Sequence, residues 1–118
     1  MLKVEFIAPD IMKIVAPQKL KADDFAKIAP EFDETLKRYG TISLLIDAIH
    51  LEGWETMGAF EKHMAFVKDH EARVARIALI TGHEWQTWLI GAVKLFVHPE
   101  VKAFDKAQAD DALRWISG

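Results

Sequence analysis

Two runs in this chain are apolar at almost every position, Ile42 to Ile46 and Val74 to Thr81. A strand with one wet face alternates apolar and polar residues, and these do not. Each therefore reads as a central strand covered on both sides, which forces helices onto the faces of a sheet. A helical pattern follows each run. The chain must then build an α/β layer structure in which successive strands are joined by helical crossovers.

The other elements fit that scheme. Leu2, Val4 and Phe6 alternate with Lys3 and Glu5, as in a half-buried strand. Pro9-Asp10 makes a turn, and Ile11 to Val15 reads as a second strand hairpinned to the first. Lys19-Leu20-Lys21 reads as a solvated loop. A first helix is capped by Asp23 or Asp24 and carries Phe25, Ile28, Ala29, Phe32, Leu36 and Tyr39 on one stripe. Pro30 should kink it or mark a fresh first turn, and Gly40 suits the left-handed stop. Ala48 to Glu55 reads as irregular. A second helix spans about Thr56 to His70, with Met57, Phe60, Met64 and Val67 on its inner stripe and Phe66 off it. Gly82 closes the Val74–Thr81 strand. A third helix runs from about Glu84 to Phe96, a short strand covers Val101 to Phe104, and a closing helix covers Ala107 to Ile116. The order is ββαβαβαβα, a mixed sheet of about five strands with helices packed on it.

With 118 residues, residues 1–118 are expected to form a single domain that buries its core without staples. There are no cysteines, so disulfides and thiolate metal sites are excluded and a reducing, cytoplasmic setting is expected. The opening Met1 to Phe6 does not read as a signal peptide, since an acid stands among its first residues. The net charge is −3 with both signs mixed, so there is no basic stripe of the kind nucleic acid requires.

Gly53-Trp54-Glu55 after the third predicted strand, Trp85 and Trp88 opening the third helix, Val101-Lys102-Ala103-Phe104-Asp105, and Ala112 through Trp115 follow one another in a recognisable order. Together they resemble the SpoIIAA-like family, which has the STAS fold of bacterial anti-anti-sigma factors. The resemblance covers nearly the whole chain and implies a STAS-like (SpoIIAA-like) α/β fold rather than a particular activity. In the better known anti-anti-sigma factors, a phosphorylated serine opens the helix after the third strand, where backbone amides and the helix dipole favour a phosphate. Only two serines exist here, Ser43 and Ser117, and neither is at that place. Glu52, Gly53, Trp54, Glu55 and Thr56 stand there instead. Thr56 is the one candidate regulatory hydroxyl, and a plain N-cap is its simpler role.

The search for chemistry finds little. The five histidines, His50, His63, His70, His83 and His98, show no metal-binding spacing. His63 and His70 lie two turns apart on one helix, too far to share an ion. There is no nucleophile elbow and no glycine-rich phosphate loop. Asp47, at the end of a buried strand, is the best single candidate for a regulatory or acid–base role. Its structural alternative is a turn residue bonding the loop that follows. No catalytic residue, metal or cofactor is expected, and the chain reads as a non-enzymatic module.

The third helix is the informative segment. Between Glu84 and His98 only Lys94 is charged. Trp85, Trp88, Leu89, Ala92 and Phe96 form the expected core stripe, with Leu95 on one flank and Ile90, Val93 and Val97 on the other. The apolar arc covers roughly 220°, about twice what packing on one sheet needs. Four uses fit: a helix sandwiched inside the fold, a homodimer interface, a pocket for an apolar ligand with Trp54 and Phe66 opposite, or peripheral contact with a membrane. Three extra buried side chains are worth on the order of 4–8 kcal/mol before binding costs. The STAS fold also resembles, more distantly, the lipid-carrier domains of the CRAL-TRIO type. The leading expectation is thus binding of an apolar small molecule or lipid through the second and third helices, by Trp54, Phe66, Trp85, Trp88, Ile90, Val93 and Val97. The alternative is a regulatory protein–protein module of the anti-anti-sigma kind lacking the phosphorylatable serine.

Overall fold

A computed structural model describes residues 2–93 and 98–118. Five strands form one sheet in the order β1 (Lys3–Ala8), β2 (Ile11–Val15), β4 (Ile42–Ala48), β6 (Val74–Thr81), β7 (Glu100–Asp105). The first pair is an antiparallel hairpin, and the remaining pairs are parallel. This is the mixed sheet expected from the strand pattern. Two very short strands, β3 (Lys19–Leu20) and β5 (Gly53–Trp54), pair in parallel as a separate ladder.

The chain order dictates where the helices go. From β2 onward the strands are laid down side by side in one direction. Right-handed crossovers in a constant direction place every connecting helix on the same face. The crossovers are α1 (Ala22–Tyr39), α2 (Met57–His70) and α3 (Glu84–Val93). α4 (Ala109–Ser117) follows the last strand and covers the opposite face. Along β4 the period of two sorts the side chains between these faces. Ile42, Leu44 and Ala48 join the core under the crossover helices, and Leu45 joins the core under α4.

Local signals explain most boundaries. Gly40 takes φ +82° and its N–H bonds to the Leu36 carbonyl at 2.8 Å, the expected left-handed stop. α1 begins earlier than the aspartates suggested. Lys21 is its N-cap, and Asp24, buried at the third position, accepts the Lys21 N–H at 2.9 Å. The helix runs through Pro30 without restarting. Gly82 is required where it stands: a Cβ there would lie 2.3 Å from the Ile49 carbonyl oxygen.

Several expectations need correction. Lys19-Leu20-Lys21 is no solvated loop, since Leu20 is buried and Lys19–Leu20 is a strand. The stretch read as irregular contains β5. Phe6, Tyr39 and Met57, placed on inner stripes, are exposed, and Met57 is 72% exposed. Phe66, read as off-stripe, packs against the core. The inner face of α2 is wider than the expected stripe: Met64 and Val67 are joined on it by Ala59, His63, Phe66 and His70.

α3 is likewise rotated from its expected setting. Trp88 and Ala92, placed in the core stripe, lie outside, Trp88 at 75% exposure. Ile90, placed on the outer flank, packs inward. Gln86 explains the rotation. It is buried and binds backbone on both sides: its Nε2 donates to the carbonyls of Ala48 (2.9 Å) and Leu51 (2.7 Å), and its Oε1 accepts from the Gly82 N–H (3.0 Å). Three bonds to fixed backbone set the helix's azimuth more strictly than a broad apolar arc can. Val97, with Lys94, Leu95 and Phe96, lies outside the described residues, as do the side chains of Leu89 and Val93.

Candidate functional site

The crossover helices do not close fully onto the sheet. Between them and the strands lies an apolar pocket of about 220 Å³. Its floor is Ile14 and Ala16 of β2, Leu44, Ile46 and Ala48 of β4, Val74, Ile77 and Leu79 of β6, and Val101 of β7. Phe25, Ile28 and Phe32 of α1 form one wall. Met64, Phe66 and Val67 of α2 and Trp85 and Ile90 of α3 form the roof. On α2 only Ala59 is fully buried, so the helix stands off the sheet with its inner side chains half-covered.

One end of the pocket is an aromatic cluster. Trp54 is fixed there by the β3–β5 ladder, with the Glu55 N–H bonded to the Leu20 carbonyl at 2.7 Å. Its ring meets Phe60 edge-on at 4.8 Å and lies 6.2 Å from Trp85. Its Nε1–H donates to His63 Nδ1 at 3.0 Å, and the His63 ring stacks on Phe25 at 4.8 Å. Desolvation of this histidine lowers its pKa from 6.5 to about 4. His63 is therefore a neutral ring at pH 7.

The other end is polar but satisfied. His70 stacks on Phe66 at 4.2 Å, with Nδ1 at 2.9 Å from the Phe66 carbonyl and Nε2 at 3.1 Å from Asp33. Glu71, 6% exposed, accepts the His98 N–H at 2.6 Å and meets His98 Nδ1 at 2.7 Å. The His98 N–H bond holds the Glu71 carboxyl below the usual carboxylate range, helped by His98 and Lys68, while burial opposes the shift. Glu71 thereby ties the chain entering β7 to the end of α2.

The pocket collects Trp54, Phe66, Trp85 and Ile90 from the expected ligand-binding set. Trp88 does not line it. Thr56 takes its structural role, Oγ1 accepting the Ala59 N–H at 3.0 Å as the N-cap of α2. Asp47 does the same for the loop after β4, Oδ1 accepting the Ile49 N–H at 3.1 Å. His63 and His70, considered in the sequence only as metal ligands, line the pocket, as do Glu71 and Gln86, which the sequence did not single out. His63 stood three residues after Phe60 and one before Met64, so its place near the inner stripe was a usable signal. Gln86 gave none, because a buried amide is recognised only by the carbonyls it meets. Among the described residues, no three potential metal ligands converge, and no helix is long and apolar enough to cross a membrane.

A strand-helix alternation with three crossovers on one face and a single closing helix on the other is a STAS-like architecture. The SpoIIAA-like family model matches residues 11–117, and the chain belongs to that family. It is similar to the crystal structure of an uncharacterized protein of the DUF3478 family, with a SpoIIAA-like fold, from Shewanella loihica PV-4. That likeness has 26% identity and a TM-score of 0.78, and covers 98% of this chain and 92% of that one. The anti-sigma factor antagonist SpoIIAA in its unphosphorylated form shares the fold at 12% identity and TM-score 0.59, covering 97% of this chain and 98% of that chain. The Bacillus cell fate determinant SpoIIAA in the phosphorylated form does so at 13% identity and TM-score 0.58, covering 97% and 100%. No curated protein matches the sequence.

Proposed function

We propose that this protein is a non-enzymatic binding module that takes an apolar small molecule or the apolar part of a lipid between its sheet and its crossover helices. The observation that supports this most directly is the pocket of about 220 Å³ with almost wholly apolar walls. An apolar cavity of roughly 150 Å³ is enough to admit benzene. Close packing is the rule in protein cores, so a void this size under half-covered helices is a costly feature without an occupant.

The test is a titration with cyclohexane followed by isoleucine methyl resonances. Ile14, Ile46 and Ile77 line the pocket, and their methyls are expected to shift. Ile11 and Ile116 lie under α4 and should stay in place. Unchanged spectra, or equal shifts on both faces, would remove the reading.

A second reading, a regulatory protein-interaction module, draws on the exposed Met57 beside the Thr56 cap. It places the sensitive residues at Glu52 to Thr56, with the exposed Met57 as their neighbour. Pocket-filling substitutions would then leave partner binding intact, whereas Met57→Asp would weaken it.

A further inference from the structure

We infer that the pocket selects a neutral hydrogen-bond acceptor, a ketone, ester or quinone-type carbonyl, through His63 Nε2, and rejects free carboxylates. This rests on the ligand-binding reading above and specifies the chemistry of the ligand's polar atom.

The assignment follows from one ring. His63 belongs to the pocket wall, and its Nδ1 is occupied as an acceptor by the Trp54 indole N–H. An indole can only donate, so the lone pair sits on Nδ1 and the ring proton on Nε2. Nε2 has no hydrogen-bond partner among the described residues. Nor is it sealed inside them, since every fully buried side-chain nitrogen and oxygen there is bonded. The other polar side chains of the wall are spoken for: Gln86 by three backbone groups, His70 by Phe66 and Asp33, and Glu71 by His98. His63 is therefore a residue of the pocket wall with one unpartnered ring donor among the described residues, its ring held by Trp54 and by its stack on Phe25. A donor of this kind fixes the orientation of an otherwise featureless ligand.

Charge decides between acceptors. Among the described residues, no lysine or arginine lines the pocket. One carboxylate, Glu71, already does. Among those residues a ligand carboxylate would meet a like charge and no counter-charge, which costs far more than one neutral hydrogen bond returns. A carbonyl loses little on transfer and regains a bond.

The experiment uses a matched ring series on the intact protein: cyclohexane, cyclohexanone and cyclohexanecarboxylate at pH 7, read by methyl shifts and by the His63 ¹⁵Nε2 resonance. Cyclohexanone is expected to move the ¹⁵Nε2 resonance, and cyclohexane is not. The carboxylate is expected to bind at least tenfold more weakly than the ketone. Asn places its amide where Nδ1 was, keeping a partner for Trp54 and deleting the Nε2 donor, whereas Gln restores a donor at the Nε2 position. His63→Asn should weaken cyclohexanone about 5- to 10-fold, one net hydrogen bond, and change cyclohexane less than twofold. His63→Gln should recover most of the loss. If no compound binds, the pocket reading itself fails. If cyclohexane binds but the wild-type ¹⁵Nε2 resonance ignores the ketone, or the carboxylate binds best, the pocket stands and this inference falls. The wild-type resonance keeps the test decisive even where a variant does not fold.

Discussion

The two faces of the sheet are built from alternate residues of the same strands and end up differently packed. Under α4 the contact is close. Ala78 and Ala112 are wholly buried, Phe104 and Ile116 nearly so, and Arg76 lies 5.3 Å from the Trp115 ring centroid while bonding that residue's carbonyl at 3.1 Å. Small residues at the centre let the helix sit directly on the strands. Under α1 to α3 the strands present larger side chains, Ile14, Leu44, Ile46 and Ile77, and the roof carries Phe66, His63 and Trp85. Bulky groups meeting from both sides hold α2 and α3 away from the sheet and leave a void between them. One face is packed for stability, and the other keeps room.

The sharpest way to break that contrast is to truncate one aromatic on each face. Phe104→Ala should cost about 3–5 kcal/mol, because a tight site cannot collapse around the cavity. Phe66→Ala, starting half-covered beside an existing void, should cost about 1–2 kcal/mol. Urea unfolding midpoints measure both, and equal losses would mean that the faces are packed alike.

The next effect is in pH. His63 holds its proton in the unfolded chain below about 6.5 and in the folded protein only below about 4. Between those values the unfolded state binds more protons, so stability falls as pH falls, by on the order of 3 kcal/mol over the whole window. Glu71 acts in the same direction at lower pH, its contribution being lost as pH drops below the usual carboxylate range. The His63→Asn variant should lose the slope between pH 6.5 and 4 and keep the part due to Glu71. A wild-type stability that stays flat from pH 7 to 4.5 would contradict the buried, neutral His63.

The smallest effects come from neighbouring residues of β6 that face opposite ways. Ala78→Val adds volume to the tight face and should cost about 1–3 kcal/mol. Ile77→Phe adds volume toward the pocket and should change stability by less than about 1 kcal/mol. It should also abolish the cyclohexane shifts. Thermal melts and the same methyl spectra separate the two outcomes.

Much of the fold could be read in the chain because the period of apolar residues is a local property. β4 and β6 as continuous runs, the β1–β2 hairpin around Pro9-Asp10 and the Gly40 stop all follow from neighbours in sequence. The same approach failed where few residues or a broad arc carried the signal. The two-residue strands β3 and β5 have no period to detect. α3 is apolar over so wide an arc that its inner face was undetermined, and the stripe through Trp88 was placed inward in error. Of the expected site, Trp54, Phe66, Trp85 and Ile90 meet at the pocket, because an apolar excess on the helices was visible even though its orientation was not.

The alternation of strands and helices, the mixed sheet and the surplus of apolar residues over what one layer needs are all legible in the residue order. Burial drives those features, and burial is written in residue type and spacing. The three-dimensional packing alone places Phe66, Trp85 and Ile90 on a void, lets Gln86 turn α3 so that Ile90 faces in, and has Trp54 leave His63 with one donor unpartnered among the described residues. The void depends on side-chain bulk meeting across the layers, and the other two depend on the hydrogen bonds of Gln86 and Trp54, which have direction and distance but no period.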